Sequence, residues 1–152
     1  MKILKPKFWD KEERGIIALL LSPIAVFYSV LIYLKETFSN KKKFSIPIIC
    51  VGNIYIGGTG KTPLSIKISK LLNSKNLKAT VIKKFYINQK DEQILINKKT
   101  NLISKINRKE SLNSAIRQNF KYAILDDGLQ ESSINYDLKI CCFSSNNWIG
   151  NG

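Results

Sequence analysis

A short apolar run, a glycine-rich loop and an amphipathic segment follow one another from residue 46 onward. The run Ile46 to Val51 is continuously apolar and rich in β-branched residues, which is typical of a strand buried on both faces of a parallel sheet. In residues 62–76 the apolar side chains recur at the spacing of one helical face, at Leu64, Ile68, Leu71 and Leu72. A buried strand that leads through such a loop into a helix predicts an α/β domain with a parallel central sheet.

The loop itself has the composition of a phosphate-binding loop. Backbone N–H groups of the loop and of the helix N-terminus attract an anion, and glycine lets the backbone approach it closely. In this pattern Lys61 reaches the β- and γ-phosphates of a nucleoside triphosphate, and the Thr62 hydroxyl holds Mg²⁺. The strict pattern requires glycine where this chain has Tyr55, but the flanking strand and helix support the assignment. The predicted nucleotide-binding residues are Gly57, Gly58, Thr59, Gly60, Lys61 and Thr62.

A second apolar strand, Tyr122 to Leu125, leads directly into Asp126, Asp127 and Gly128. An aspartate at the end of a buried strand is the usual second half of a phosphate-loop site, where its carboxylate holds Mg²⁺ directly or through water. The alternative is a plain Asp-Gly turn at the end of a strand. Because the glycine-rich loop lies upstream, we predict that Thr62, Asp126 and Asp127 form the metal site.

Other segments complete a P-loop NTPase-like fold with an open, mostly parallel sheet. Ala79 to Ile82 is predicted as a strand, followed by an irregular stretch and a short strand at Leu102-Ile103. A helix is predicted near Glu110 to Gln118, and a last strand at Leu138 to Phe143. In such a sheet, ligands bind at the carboxyl ends of the strands.

The first 43 residues have a different character. Gly15 to Leu34 carries no charged side chain over a length close to that of a bilayer core of ~30 Å. Lysines follow it, which places its C-terminal side in the cytoplasm. We therefore predict a membrane-associated helix and a basic linker over residues 1–43, and a nucleotide-binding domain over residues 44–152. A helix that spans the bilayer and one that lies in its interface both remain open.

The net charge of +14 fits a solvated lysine surface, an anionic membrane or an anionic substrate. No pattern of a nucleic-acid-binding module is present, so we expect no nucleic-acid partner. The sequence contains no histidine, which excludes a histidine base or metal ligand within it. The three cysteines, Cys50, Cys141 and Cys142, lie in apolar runs without metal-site spacing and are expected to be buried, reduced thiols.

Several motifs together resemble the tetraacyldisaccharide 4′-kinase family of lipid A biosynthesis. The resemblance covers nearly the whole chain, and its most specific parts are the glycine-rich loop followed by Pro63 and the Asp126–Gln130 run, DDGLQ. The remaining similar positions are Phe8-Trp9, Val51-Gly52-Asn53, Asp91-Glu92, Asp137-Leu138 and Gly150-Asn151-Gly152.

The resemblance implies an enzyme on the cytoplasmic face of the inner membrane that uses ATP and Mg²⁺. It implies transfer of the γ-phosphate to the 4′-hydroxyl of a lipid disaccharide 1-phosphate, with Lys61 and Asp91 as catalytic residues and Asp91 as the base. Without the resemblance, Asp91-Glu92 would be interpreted as a helix start or a solvated pair. We expect the protein to be a monomer.

The chain also departs from the family pattern. It has Lys84-Phe85-Tyr86 in place of Arg-Gly-Tyr, Lys90 in place of glycine, and Glu131 in place of histidine. Family members are about twice as long, so we expect residues 44–152 to be the nucleotide-binding lobe without the second lobe. Two alternatives remain: a membrane-anchored nucleotide-binding remnant without kinase activity, and a ParA/MinD-like ATPase, which would need lysine where this chain has Ile56.

Overall fold

The computed structural model describes residues 16–53, 60–86 and 90–143, without the side chains of Ile17, Ala18, Glu36 and Lys90. The sequence predictions for Phe8-Trp9, for Gly57 to Thr59 and for Gly150 to Gly152 lie outside these residues.

A five-stranded sheet forms the centre of the described domain. Its strands are β1 (Ile48–Asn53), β2 (Ala79–Lys84), β3 (Leu102–Lys105), β4 (Tyr122–Asp126) and β5 (Leu138–Cys142). Their order across the sheet is β3-β2-β4-β1-β5, and every neighbouring pair is parallel. The predicted open parallel sheet is therefore confirmed. Because all five strands run the same way, their carboxyl ends meet at one edge.

Three helices connect the strands: α2 (Lys61–Ser74), α3 (Lys90–Lys99) and α4 (Arg108–Arg117). The helix predicted near residues 110–118 begins earlier, because the Asn107 side chain accepts a hydrogen bond from the Lys109 N–H at 2.9 Å and caps the helix at 108.

The prediction of an irregular stretch after β2 was wrong in part, since α3 lies there. Acidic side chains occupy the first turn of α3, at Asp91 and Glu92, and Lys98 and Lys99 occupy the last turn. This arrangement complements the helix dipole. Among the described side chains of α3, only Ile96 is fully buried, so the segment lacks the apolar periodicity by which a helix is recognised in a sequence.

The core lies on both faces of the sheet. Successive residues of a strand point to opposite faces, and Val81 and Ile82 accordingly belong to different apolar clusters. One cluster includes Ile66 of α2 and Ile96 of α3, and the other includes Leu112 of α4. Helices therefore cover both faces of the three inner strands, which explains their continuous apolar sequences.

The N-terminal helix α1 (Ile16–Thr37) precedes the sheet. Its described large apolar side chains are exposed, including Leu20, Phe27 and Leu31. The chain rejoins the domain where the Ser39 hydroxyl donates to the Ser132 carbonyl at 2.8 Å. In the described part of the chain, no helix combines the length and the apolar character needed to cross a membrane. The membrane association of residues 1–43 stays a prediction.

Candidate active site

The candidate site lies at the carboxyl edge of the sheet, between β1, β4 and the first turn of α2. The pairing of β1 with β4 places Val51 opposite Asp126, so the two strands end side by side. Gly60 precedes α2 with φ of 79°, a left-handed conformation that suits glycine. The N-terminus of α2 therefore opens beside the ends of both strands, and the first N–H groups of a helix have no partner within the helix itself.

Lys61 links the ends of β1 and β4. Its Nζ donates to Asn53 Oδ1 at 2.7 Å and to Asp127 Oδ1 at 2.9 Å. The Lys61 side chain is 22% exposed and that of Asp127 is 48% exposed, so this ion pair lies at the mouth of the site. A cation held here, at the start of a helix, is well placed to attract phosphate oxygens.

Asp126 is buried at the base of the site, and both of its oxygens have partners. Oδ1 accepts from Ser65 Oγ at 3.1 Å, while Oδ2 accepts from Thr62 Oγ1 and from Lys83 Nζ, each at 2.9 Å. A buried carboxylate requires such compensation, since isolated burial of its charge is very costly. The structure thus brings together Thr62 and Asp126, two of the three residues that the sequence predicted at a metal site.

Lys83 is the main residue that the sequence analysis missed. Its side chain is only 6% exposed, and its Nζ donates to Glu92 Oε2 of α3 as well as to Asp126. Burial lowers the pKa of Lys83, but the charges of Asp126 and Glu92 outweigh it, so the pKa lies above its ordinary value. Lys83 therefore carries a positive charge beneath the site at neutral pH.

The predicted base, Asp91, lies exposed in the first turn of α3, next to Glu92. Within the described contacts, Glu92 rather than Asp91 joins the Lys83–Asp126 network. The catalytic role of Asp91 stays a prediction, as do the roles of Gly57, Gly58 and Thr59, which lie outside the described residues.

The turn after β4 has a strained but well-supported backbone. Asp127 has φ of 61°, in the left-handed region, and its carbonyl accepts from Arg108 Nη2 at 2.6 Å. The Tyr136 hydroxyl donates to the carbonyls of Gly128 at 2.8 Å and Glu131 at 3.0 Å. These contacts hold the backbone of the turn that carries Asp127. Nothing in the sequence singled out Arg108 or Tyr136.

Cys50 lies directly beneath this turn. An added Cβ at Gly128 would come within 2.9 Å of Cys50 Sγ, so the close approach requires glycine. Burial raises the pKa of the Cys50 thiol to about 11, which keeps it protonated at neutral pH. Cys50 is a buried free thiol as predicted, whereas Cys141 and Cys142 are free but only half-buried.

Within residues 16–53, 60–86 and 90–143, no group of three or more His, Cys, Asp or Glu side chains is placed to hold a metal ion. Oxygen donors at the carboxyl edge include the Thr62 hydroxyl and the Asp126 carboxylate, which contact each other, and the Asp127 carboxylate, which contacts Lys61. Mg²⁺ is commonly bound by one or two protein carboxylates together with phosphate and water oxygens, so this donor set fits that cation.

The chain is similar to known proteins over nearly its whole length. The family model for tetraacyldisaccharide-1-P 4′-kinase (LpxK) matches residues 17–152. The tetraacyldisaccharide 4′-kinase of Pelagibacter ubique (strain HTCC1062) is 51% identical over 154 residues, which cover 100% of this chain and 48% of that protein. The protein of the same name from Rickettsia akari (strain Hartford) is 33% identical, covering 100% of this chain and 51% of its own. The chain thus spans about half the length of the curated relatives it matches.

The fold has a counterpart among solved structures. The "apo" form of LpxK from Aquifex aeolicus, in a crystal structure in complex with ATP, superposes with a TM-score of 0.67. The match has 24% identity and covers 83% of this chain and 49% of that one. This likeness supports the fold, and the family match confirms the resemblance found in the sequence motifs. The chain belongs to the tetraacyldisaccharide-1-P 4′-kinase family.

Proposed function

We propose that the full-length protein transfers the γ-phosphate of ATP to the 4′-hydroxyl of a tetraacyldisaccharide 1-phosphate. The observation that carries this proposal is the pairing of the start of α2 with the end of β4. Lys61 contacts Asp127 at 2.9 Å, and Thr62 contacts Asp126 at 2.9 Å. A lysine and a hydroxyl at a helix N-terminus, facing two aspartates at a strand end, form the arrangement that phosphoryl transfer requires.

The described residues can be given separate parts in this reaction. Lys61 binds the β- and γ-phosphates of ATP and offsets their charge. Thr62, Asp126 and Asp127 would hold Mg²⁺, which, when bound, neutralises charge that develops on the transferred group. Ser65 and Lys83 hold the Asp126 carboxylate in place through the contacts described above.

Asp91 is the proposed base. The oxygen of the acceptor hydroxyl forms a bond to the γ-phosphorus while the bond from that phosphorus to the β,γ-bridging oxygen breaks, which releases ADP. The hydroxyl proton passes to the Asp91 carboxylate. The exposure of Asp91 at the N-terminus of α3 supports this role, because the side chain is accessible to an acceptor.

The same proposal includes association with the cytoplasmic face of the inner membrane, where a lipid acceptor lies, and action as a monomer. The exposed apolar side chains of α1 support membrane association, since such a surface is unfavourable in water. Lys41, Lys42 and Lys43 follow the helix, and each lysine near an anionic surface contributes ~1 kcal/mol. Membranes washed with salt and then with carbonate test this point. Complete release by salt alone would contradict apolar anchoring.

Labelled-phosphate transfer by the full-length protein tests the function. The unmodified protein should label the lipid acceptor when given γ-labelled ATP. Lys61→Ala should reduce transfer by roughly 100-fold or more, because it removes a cation that stabilises the transition state. Lys70→Ala is the matched control, since Lys70 is an exposed lysine of the same helix, and transfer should be unchanged. ATP binding without any transfer by the unmodified protein would favour the nucleotide-binding remnant instead.

A further inference from the structure

The charged network beneath the site connects two elements that the sequence alone does not join. Strands β2 and β4 are neighbours, and their register places Lys83 opposite Asp126. From this position Lys83 Nζ contacts the Asp126 carboxylate at 2.9 Å and also reaches the Glu92 carboxylate of α3. One ammonium group thus bridges the buried base of the site and the first turn of a peripheral helix.

Within the part of the chain that the structure describes, the first turn of α3 has few other attachments. Asp91 and Glu92 are exposed, and Ile94 and Leu95 are 52% and 41% exposed. The buried anchor of the helix, Ile96, lies one turn further along. An apolar anchor at Ile96 leaves the preceding turn free to move, so polar contacts must determine where that turn lies.

The polar contacts of this turn differ in strength. Gln93 donates to the Tyr86 carbonyl at 3.3 Å and accepts from the Ser104 hydroxyl at 3.3 Å. Both bonds are long and join neutral groups. The contact between Glu92 and Lys83 joins two charges, and its lysine is almost fully buried. Charge-assisted hydrogen bonds are about twice as strong as neutral ones, so this contact dominates.

We propose that Lys83 is a positioning residue, whose ammonium group ties Glu92 to Asp126 and thereby holds the first turn of α3, with Asp91, beside the phosphate site. The inference rests on the proposed function for its catalytic consequence. Lys83 itself acts through its neighbours: it orients a carboxylate of the phosphate site on one side and the turn carrying the proposed base on the other. One buried cation, Lys83, therefore aligns Asp126 of the phosphate site with Asp91, the proposed base.

Hydrogen exchange and kinetics of the full-length protein test this inference. Glu92→Gln keeps the shape of the side chain and removes the charge of an exposed group, so folding should be retained. The matched control is Glu110→Gln, because Glu110 is also an exposed glutamate in the first turn of a helix. We expect amides in the first turn of α3 to exchange roughly threefold to fivefold faster in Glu92→Gln and at the unmodified rate in the control.

Glu92→Gln should lower kcat without raising the KM for ATP, whereas general damage to the fold would impair both. Loss of a negative charge near the phosphate site should leave the KM for ATP unchanged or lower it. Misplacement of the turn should reduce kcat by roughly tenfold to 100-fold. Equal α3 exchange and equal kcat in Glu92→Gln and Glu110→Gln would overturn the inference.

A second variant tests whether Lys83 is the link. Lys83→Met should loosen both the first turn of α3 and the end of β4, whereas Glu92→Gln should loosen α3 alone. Combining the two changes should accelerate α3 exchange no further than Lys83→Met does, since both remove the same contact. Lys83→Arg, which retains the charge, should restore part of kcat. Additive effects of Lys83→Met and Glu92→Gln on α3 exchange would contradict the link.

Absence of phosphate transfer by the unmodified protein would refute the proposed function. The exchange results would still decide whether Lys83 anchors the first turn of α3.

Discussion

The Tyr136 hydroxyl supports the turn that carries Asp127, and its removal should have a measurable cost. The hydroxyl is shared between the carbonyls of Gly128, at 2.8 Å, and Glu131, at 3.0 Å. Tyr136→Phe removes this donor: the Gly128 carbonyl keeps a hydrogen bond from the Glu131 N–H at 3.0 Å, whereas the Glu131 carbonyl loses the hydroxyl. A net hydrogen bond contributes about 1 kcal/mol, and a buried acceptor that loses its partner costs about 1–3 kcal/mol, so we expect a loss of about 1–2 kcal/mol.

Thermal unfolding of the full-length protein provides the assay. A loss of this size should lower Tm by about 2–6 °C in a chain of a few hundred residues or fewer. The KM for ATP should rise as well, because the left-handed turn at Asp127 relaxes and the partner of Lys61 moves. Tyr122→Phe is the control, since the Tyr122 hydroxyl makes no hydrogen bond within the described residues. If both variants had the same Tm and KM, the Tyr136 contacts would not support the turn.

Two further predictions concern the contact between Gly128 and Cys50. Gly128→Ala should destabilise the protein by about 1–3 kcal/mol in a denaturant titration, because the added Cβ would lie 2.9 Å from Cys50 Sγ and 3.0 Å from Leu125 Cβ. An unchanged unfolding midpoint would contradict the close packing. The Cys50 pKa of about 11 exceeds its ordinary value of 9.0, so this thiol contributes stability that is fully present below pH 9 and is lost as the pH rises towards 11. Unfolding free energy should fall less between these pH values in Cys50→Ala than in the unmodified protein, and parallel pH profiles would contradict burial of the thiol.

The parts of the fold that sequence could predict are those with a strong local pattern. The apolar runs of β1 and β4 indicate buried strands, and the residues that follow them, at the glycine-rich loop and at Asp126-Asp127, have chemistry that is recognisable without a structure. The apolar spacing of α2 predicts the helix correctly but its buried side only in part: Leu64, Ile68 and Leu72 pack against the core, whereas Leu71 is 58% exposed. The buried side chains of the helix are those of Ser65, Ile66 and Ser69. These signals depend on a few consecutive residues, so no knowledge of distant neighbours is needed.

Lys83 could not be placed in the same way, because its role depends on strand order. A lysine after Val81-Ile82 is typical of a strand that has reached solvent, and the strand was accordingly predicted to end at Ile82. In the structure β2 lies beside β4, and their register puts Lys83 against Asp126. The lysine is buried because a carboxylate 43 positions away compensates its charge.

The helix α3 was missed for a related reason. Its first and last turns carry charges that suit the helix dipole, but Ile96 is the only one of its described side chains that is fully buried. Among the described residues, this short helix is attached by one fully buried apolar side chain, one ion pair and two long hydrogen bonds of Gln93, which form no repeating pattern. Because α3 has so few attachments, the position of Asp91 depends on the contact between Glu92 and Lys83. That contact joins residues of different elements, so the sequence alone does not show it.

The most direct test of the proposed function is identification of the reaction product. The full-length protein, incubated with Mg²⁺, ATP and tetraacyldisaccharide 1-phosphate, should yield ADP and a disaccharide that carries a second phosphate at the 4′-position, as located by fragmentation in mass spectrometry. The Lys61→Ala protein should yield neither above background. ATP hydrolysis without phosphorylation of the lipid, or a phosphate at another hydroxyl, would contradict the proposed reaction.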